Sequence, residues 1–175
     1  MISRVYLQSD LDEVRMQGRA LGGIPAYLES KLNGSGVKVL MADMTPDALE
    51  VMGGSFYMRE QKIILLNPGD KFYIGEDGKT YEIPLALVLY HELGHAHQYI
   101  IDRFSPDMDR DKIEHDNIVR HEWPMCDHIG IPRRKHYNLH WGLTRQTAFT
   151  NSIKIRTGAI VSTLVSRLPA ARYLT

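Results

Sequence analysis

The chain has 175 residues, 43% of them hydrophobic and 24% charged, the proportions of an ordinary globular protein that can bury one core without disulfides. Lys plus Arg and Asp plus Glu both number 21, so no charge excess points to nucleic acid or an anionic membrane as a partner. The single cysteine, Cys126, excludes an intramolecular disulfide, leaves the redox compartment open and reads as structural.

No repeat or linker divides residues 1–175, which read as a single domain. Behind Arg4 the first ten residues hold no long apolar stretch, so they do not read as a Sec signal peptide. The uncharged run 83–90 is too short to span a bilayer. Retention in the producing cell and export by a route without such a signal both remain compatible with this.

Val5-Tyr6-Leu7 reads as a short strand, and 10–20 as a helix ended by Gly22-Gly23. A second short helix is expected over 24–32, closed by Asn33-Gly34, then a strand over 37–41. Thr45-Pro46 supplies a cap and a first-turn proline for another helix. Ser55–Met58 and Lys62–Leu66 read as a hairpin around Arg59-Glu60-Gln61. A second hairpin pairs 71–74 with 80–83 around Glu76-Asp77-Gly78. From Pro84 to about Asp102 the pattern is helical, with Leu85 to Leu89 apolar on every side and therefore buried all round. Another helix is expected from about Asp109 to Trp123, ending before Pro124. An apolar stretch over 160–168 reads as a closing helix. The fold class is α+β, with a small mixed or antiparallel sheet packed on the helix that begins at Pro84.

All eight histidines lie between His91 and His140, which concentrates metal or acid–base chemistry in the second half. Two of them form His91-Glu92-Leu93-Gly94-His95. On a helix, imidazoles at i and i+4 point the same way one turn apart and can fill two positions on zinc. A third protein ligand would leave the fourth position for water. Glu92 faces the same cavity without ligating and has the chemistry of a general base. Gly94 weakens a helix interior by about 1 kcal/mol relative to alanine, which suggests a close approach there.

The third ligand must come from the next helix. Glu114, nineteen positions after His95, is the first candidate and shares a face at helical spacing with Ile118 and His121. Glu122 and Asp116 compete with it. His97 and His115 keep no i, i+4 register with the ligand pair and read as exposed or supporting residues, while His121 is placed to orient a ligand or touch substrate. The arrangement points to a zinc-dependent hydrolase acting on a peptide or protein. The rival readings are hydrolysis of another amide or a cell-wall peptide, and a metal-stabilised binding module without catalysis.

Four segments carry a family resemblance: Gly54 to Pro68; His91-Glu92-Leu93-Gly94-His95-Ala96; Asp116-Asn117 with Arg120 and Glu122; and Gly130-Ile131-Pro132-Arg133-Arg134 with Tyr137. Together they resemble the NleD-like effector-type zinc metallopeptidases of bacterial pathogens and toxin modules. In those relatives the third segment reads Glu-Asn-x-x-Arg-x-Glu, where this chain has Asp116, and a longer segment carries a further glutamate. Here that segment is short, and Glu114 would have to take its place. The resemblance implies a zincin-like fold, a Zn2+ cofactor and peptide-bond hydrolysis. It also implies Tyr137 as the donor to the tetrahedral oxyanion, with His136, His140 and Arg134 behind it, although Arg133-Arg134-Lys135 also fits a solvated basic turn. One strand of the Ser55–Leu66 hairpin is expected to line the cleft, with Phe56 and Met58 facing opposite to Ser55 and Tyr57.

Overall fold

The structure is a computed structural model that describes residues 2–52, 54–70 and 72–134. Tyr137, His136, His140 and the helix expected over 160–168 lie outside the described residues. The order of elements is β1 (Ile2–Val5), α1 (Gln8–Gly18), α2 (Gly23–Leu32), β2 (Lys38–Met44), α3 (Pro46–Met52), β3 (Phe56–Met58), β4 (Ile63–Leu66), β5 (Phe72–Ile74), β6 (Thr80–Glu82), α4 (Leu85–Ile100), α5 (Arg110–Asn117) and α6 (Trp123–Ile129). It is a mixed α+β fold, and no described helix is long and apolar enough to cross a membrane.

Four strands form one mixed sheet in the order β1-β2-β4-β3, with β2 and β4 parallel and the outer pairs antiparallel. Strand alternation divides its side chains between two cores. Val39, Met41, Ile64 and Leu66 join the larger core, built with Leu11, Leu28, Leu87 and Leu89 from the helices. Leu40, Ala42, Met44, Ile63 and Leu65 face the other way, where Ala48 and Leu49 of α3 cover them. Tyr57 lies on the larger core, whereas Phe56 and Met58 belong to the smaller one. The expected alternation is therefore present, but its two faces meet two cores, where one face was expected to meet a cleft.

Local chemistry explains most of the boundaries. Asp10 accepts from Leu7 N–H at 2.9 Å at the start of α1. Thr45 Oγ1 accepts from Ala48 N–H at 3.4 Å ahead of α3. Asp109 caps α5 by accepting from the amides of Asp111 and Lys112. The helix α4 runs through the middle of the larger core and packs on α1, α2, α5, β3 and β4. Its residues Ala86 to Leu93 are all buried, as the uniformly apolar first turns require.

The expected stop before Pro124 is wrong. A π turn over Ile118–Glu122 joins α5 to α6, and the right-handed backbone continues through Trp123. Trp123 N–H bonds Ile118 O, five residues back, and Pro124 occupies the first turn of α6, where its missing N–H costs little.

Tyr90, 1% exposed, shows how tightly α4 is held. Its hydroxyl donates to Glu29 Oε1 at 2.6 Å, and its ring lies where a Cβ on Gly18 would collide with it. A methyl at Gly18 meets a ring that is anchored at its far end, so overpacking of about 1–3 kcal/mol outweighs the helix gain of alanine. Gly18→Ala is therefore expected to lower the thermal midpoint by roughly 2–8 °C, and a rise on thermal unfolding would contradict this packing.

Candidate metal centre

His91 and His95 stand one turn apart on α4 with ring centroids 4.8 Å apart, and Glu114 on α5 faces both. Glu114 Oε2 lies 2.9 Å from His95 Nε2, and Oε1 lies 3.4 Å from His91 Nε2. The three side chains offer ligand atoms all within 4.8 Å of one another. Tetrahedral zinc with bonds near 2.0–2.1 Å keeps its ligand atoms roughly 3.3 Å apart, so the set is of the right size for a metal ion.

The outer nitrogens of the two rings decide which atoms face inward. Gln98 Nε2 donates to Ile113 O at 2.8 Å and to Asp116 Oδ2 at 2.7 Å. Its Oε1 must therefore be the acceptor 2.9 Å from His95 Nδ1, which makes that nitrogen the N–H donor. His91 Nδ1 likewise donates to Glu122 Oε2 at 2.7 Å. Both Nε2 atoms then point at the Glu114 carboxylate, an arrangement that needs a positive charge between them. Burial works against protonating His91, but Glu114 and then Glu122 outweigh it and raise its pKa to about 10. Burial would raise Glu114, yet His91 and His95 hold it well below the ordinary carboxylate range. A proton on His91 satisfies this demand, and a divalent cation would satisfy it more fully by replacing that proton.

The π turn selects which carboxylate supports the site. Without it His121 would share the face of Glu114, as helical spacing predicts. The π turn adds one residue, so Glu122, fully buried, turns toward His91 and His121 turns away. Glu122 thus supports a ligand from outside. Asp116 acts through Gln98 and does not reach the cluster. The sequence reading missed Gln98, although its position three residues after His95 places it beside that ring.

Arg134 corrects the expectation of a solvated basic turn. It is 4% exposed, and its guanidinium bonds Glu114 Oε1 at 2.9 Å and Glu122 at 3.0 and 3.2 Å. Burial opposes its charge, and the two carboxylates reverse that effect and raise its pKa. The β5–β6 hairpin holds this segment in place: Gly75 bridges Arg134, Glu76 N–H donates to Arg133 O, and Tyr73 Oη donates to Pro132 O at 2.7 Å. Arg133 pairs with Asp127 at 2.7 Å and is the residue that meets solvent.

Glu92 is 4% exposed, and burial raises its pKa. No hydrogen bond or ion pair engages its carboxylate among the described residues, and the charges that act on it most are those of His91 and His95.

Behind α4 lies a second polar cluster. Asn117 Nδ2 donates to His91 O at 2.9 Å, and its Oδ1 accepts from His121 Nδ1 at 2.8 Å. A Cβ on Gly94 would collide with Asn117 Oδ1, which is the close approach anticipated for that glycine. His97, 1% exposed rather than at the surface, bonds Tyr27 Oη at 3.1 Å and Asp102 at 3.2 Å. Burial lowers the pKa of His97, and burial with Arg120 and His97 lowers that of His121 to about 4. Both shifts favour the neutral imidazole. His115 is exposed, edge-on to Trp123. Cys126 is buried, and burial pushes its thiol to about 12, in line with a structural role.

Comparison with protein families, with curated proteins and with solved structures finds no match.

The geometry separates two carboxylates by role. Glu114→Ala is expected to abolish tight binding of zinc(II) and cobalt(II). Glu122→Ala is expected to keep the site but weaken it about 10–100-fold, because His91 loses its orienting acceptor. Chelator competition measures both. Equal and complete loss in the two variants would make Glu122 itself a ligand, and parental affinity in Glu122→Ala would remove its supporting role.

Proposed function

We infer that this chain is a zinc-dependent peptide hydrolase with a zincin-like arrangement of helix and edge strand. The observation that carries the reading is the pairing of a three-ligand set with a buried carboxylate that no hydrogen bond or ion pair engages among the described residues. Among the described residues His91, His95 and Glu114 form a three-member ligand set, the composition of catalytic sites that keep a position open. Glu92 is the next residue after His91, and the charges of His91 and His95 act on its carboxylate.

His91, His95 and Glu114 would hold the metal, and when bound, zinc supplies Lewis acidity that activates water at neutral pH. Glu92 accepts the proton of the attacking water at its carboxylate and passes it to the leaving amine. The raised pKa that burial gives Glu92 suits a group that must both take and return a proton. Gln98 and Glu122 keep the two imidazoles in the tautomer that presents Nε2. Arg134 balances the second carboxylate and restrains Glu114.

Substrate binding by strand addition fits the sheet. β3 is an edge strand, paired only with β4 among the described residues, and it packs against α4. An extended peptide laid along it would exchange main-chain hydrogen bonds and pass the metal centre. Tyr137 remains the proposed donor to the oxyanion. The likeness to NleD-like metallopeptidases belongs to this proposal, on the residues that carry it.

Glu92→Gln tests the proposal. The variant is expected to bind zinc as the parent does and to lose at least about a hundredfold in cleavage of a mixed peptide library. Loss of zinc, or retention of activity, would overturn the role given to Glu92.

A further inference from the structure

One helical turn away from the candidate metal ligands, Tyr99 of α4 meets Tyr57 of β3 and Arg59, and the charge of Arg110 on α5 acts on the same tyrosine. Tyr99 follows His95 by four residues on α4, and Arg110 precedes Glu114 by four on α5, each step about 6 Å along its helix. Arg59 is the first residue after edge strand β3, and its guanidinium carbon lies 5.4 Å from the centroid of the Tyr99 ring. Tyr57, from β3 itself, stacks on Tyr99 with centroids 6.3 Å apart and planes at 28°.

Two features of this group point to a ligand. Arg59 and Arg110 are both exposed and make no ion pair with a carboxylate among the described residues. The other arginines around the metal centre are all engaged: Arg134 with Glu114 and Glu122, Arg120 with Asp102, and Arg133 with Asp127. The buried hydroxyl of Tyr57 also has no hydrogen-bond partner among the described residues, a polar group left unmet in the floor of the cluster. Burial raises the pKa of Tyr99, and the charges of Arg59 and Arg110 act against that rise.

We propose that Arg59 and Arg110 form a subsite over Tyr57 and Tyr99 that selects a peptide with an acidic side chain close to the scissile bond. The inference rests on the hydrolase reading above and adds the substrate class. Planar guanidinium groups from two elements match the fork of a carboxylate. The two tyrosine rings form an apolar floor that strengthens the pairing by excluding water. A helical turn of about 6 Å equals roughly two residues of extended peptide, which puts the acidic side chain within about three residues of the bond that is cut. Lysine at that position would meet two like charges and be rejected.

The test uses the full chain loaded with zinc and pools of fluorogenic decapeptides in which one position at a time is Glu, Gln or Lys. Glu is expected to exceed Gln about tenfold in kcat/KM at one position near the cut, with Lys below Gln. In Arg59→Gln/Arg110→Gln the Glu-to-Gln ratio should fall toward one, and in Arg59→Glu/Arg110→Glu the order of Glu and Lys should reverse. Because each variant is read as a ratio, a general loss of activity does not imitate the result. Binding of fluorescein-labelled Glu and Gln pools to zinc-loaded Glu92→Gln reads the subsite without turnover. A Glu preference in binding, with no cleavage by the parent, would uphold the subsite and refute the hydrolase reading. No Glu preference in binding, or a preference that survives the double substitution, would overturn the subsite.

Discussion

Three carboxylates, Glu92, Glu114 and Glu122, are gathered around two imidazoles in the interior, and the cost of holding that much negative charge away from water governs the site. One compensation is built in, the guanidinium of Arg134 between Glu114 and Glu122. It leaves the carboxylate edge that faces His91 and His95 in need of a second positive charge. A protonated His91 supplies one unit, and a divalent metal supplies two. With the metal, Arg134 and the three carboxylates would balance, which is how a buried charged cluster becomes affordable.

Much of the remaining architecture serves this balance. The larger core fixes α4, so His91 and His95 project from a helix that has little freedom to turn. The β5–β6 hairpin adds no strand to the main sheet, but it clasps the segment 131–134 and delivers Arg134 to the carboxylates. Gln98 and Asn117 tie α4 to α5 through bonds that also set ring orientation and the approach of the helices. The geometry of the candidate ligands and helix packing are thereby coupled, so a change at Gly94 would disturb both.

The sequence was most legible where a single periodicity or a strong cap decides structure. The hairpins, the helix from Pro84 and the proline-capped α3 lie close to where the residues predicted them, because turn chemistry and apolar patterning act locally. The His91–His95 pair is legible for the same reason, since its spacing alone sets its geometry. The helix end at Pro124 was not, because proline fits the first turn of a helix as well as it ends one, and only the π turn before it decides between them. That turn also decided between His121 and Glu122, and no spacing rule for a regular helix contains it. The burial of Arg134 depends on a hairpin sixty residues earlier in the chain. Nothing in Arg133-Arg134-Lys135 distinguishes the arginine that enters the core from the one that meets solvent.

X-ray absorption at the zinc edge on the zinc-loaded chain tests the first coordination shell most directly. The expected result is about one zinc per chain bound by two imidazoles and light oxygen or nitrogen atoms at about 2.0–2.1 Å, with the two-imidazole signature reduced in His91→Ala and in His95→Ala. Sulfur in the shell, three or more imidazoles, or no zinc retained after purification at neutral pH would contradict it.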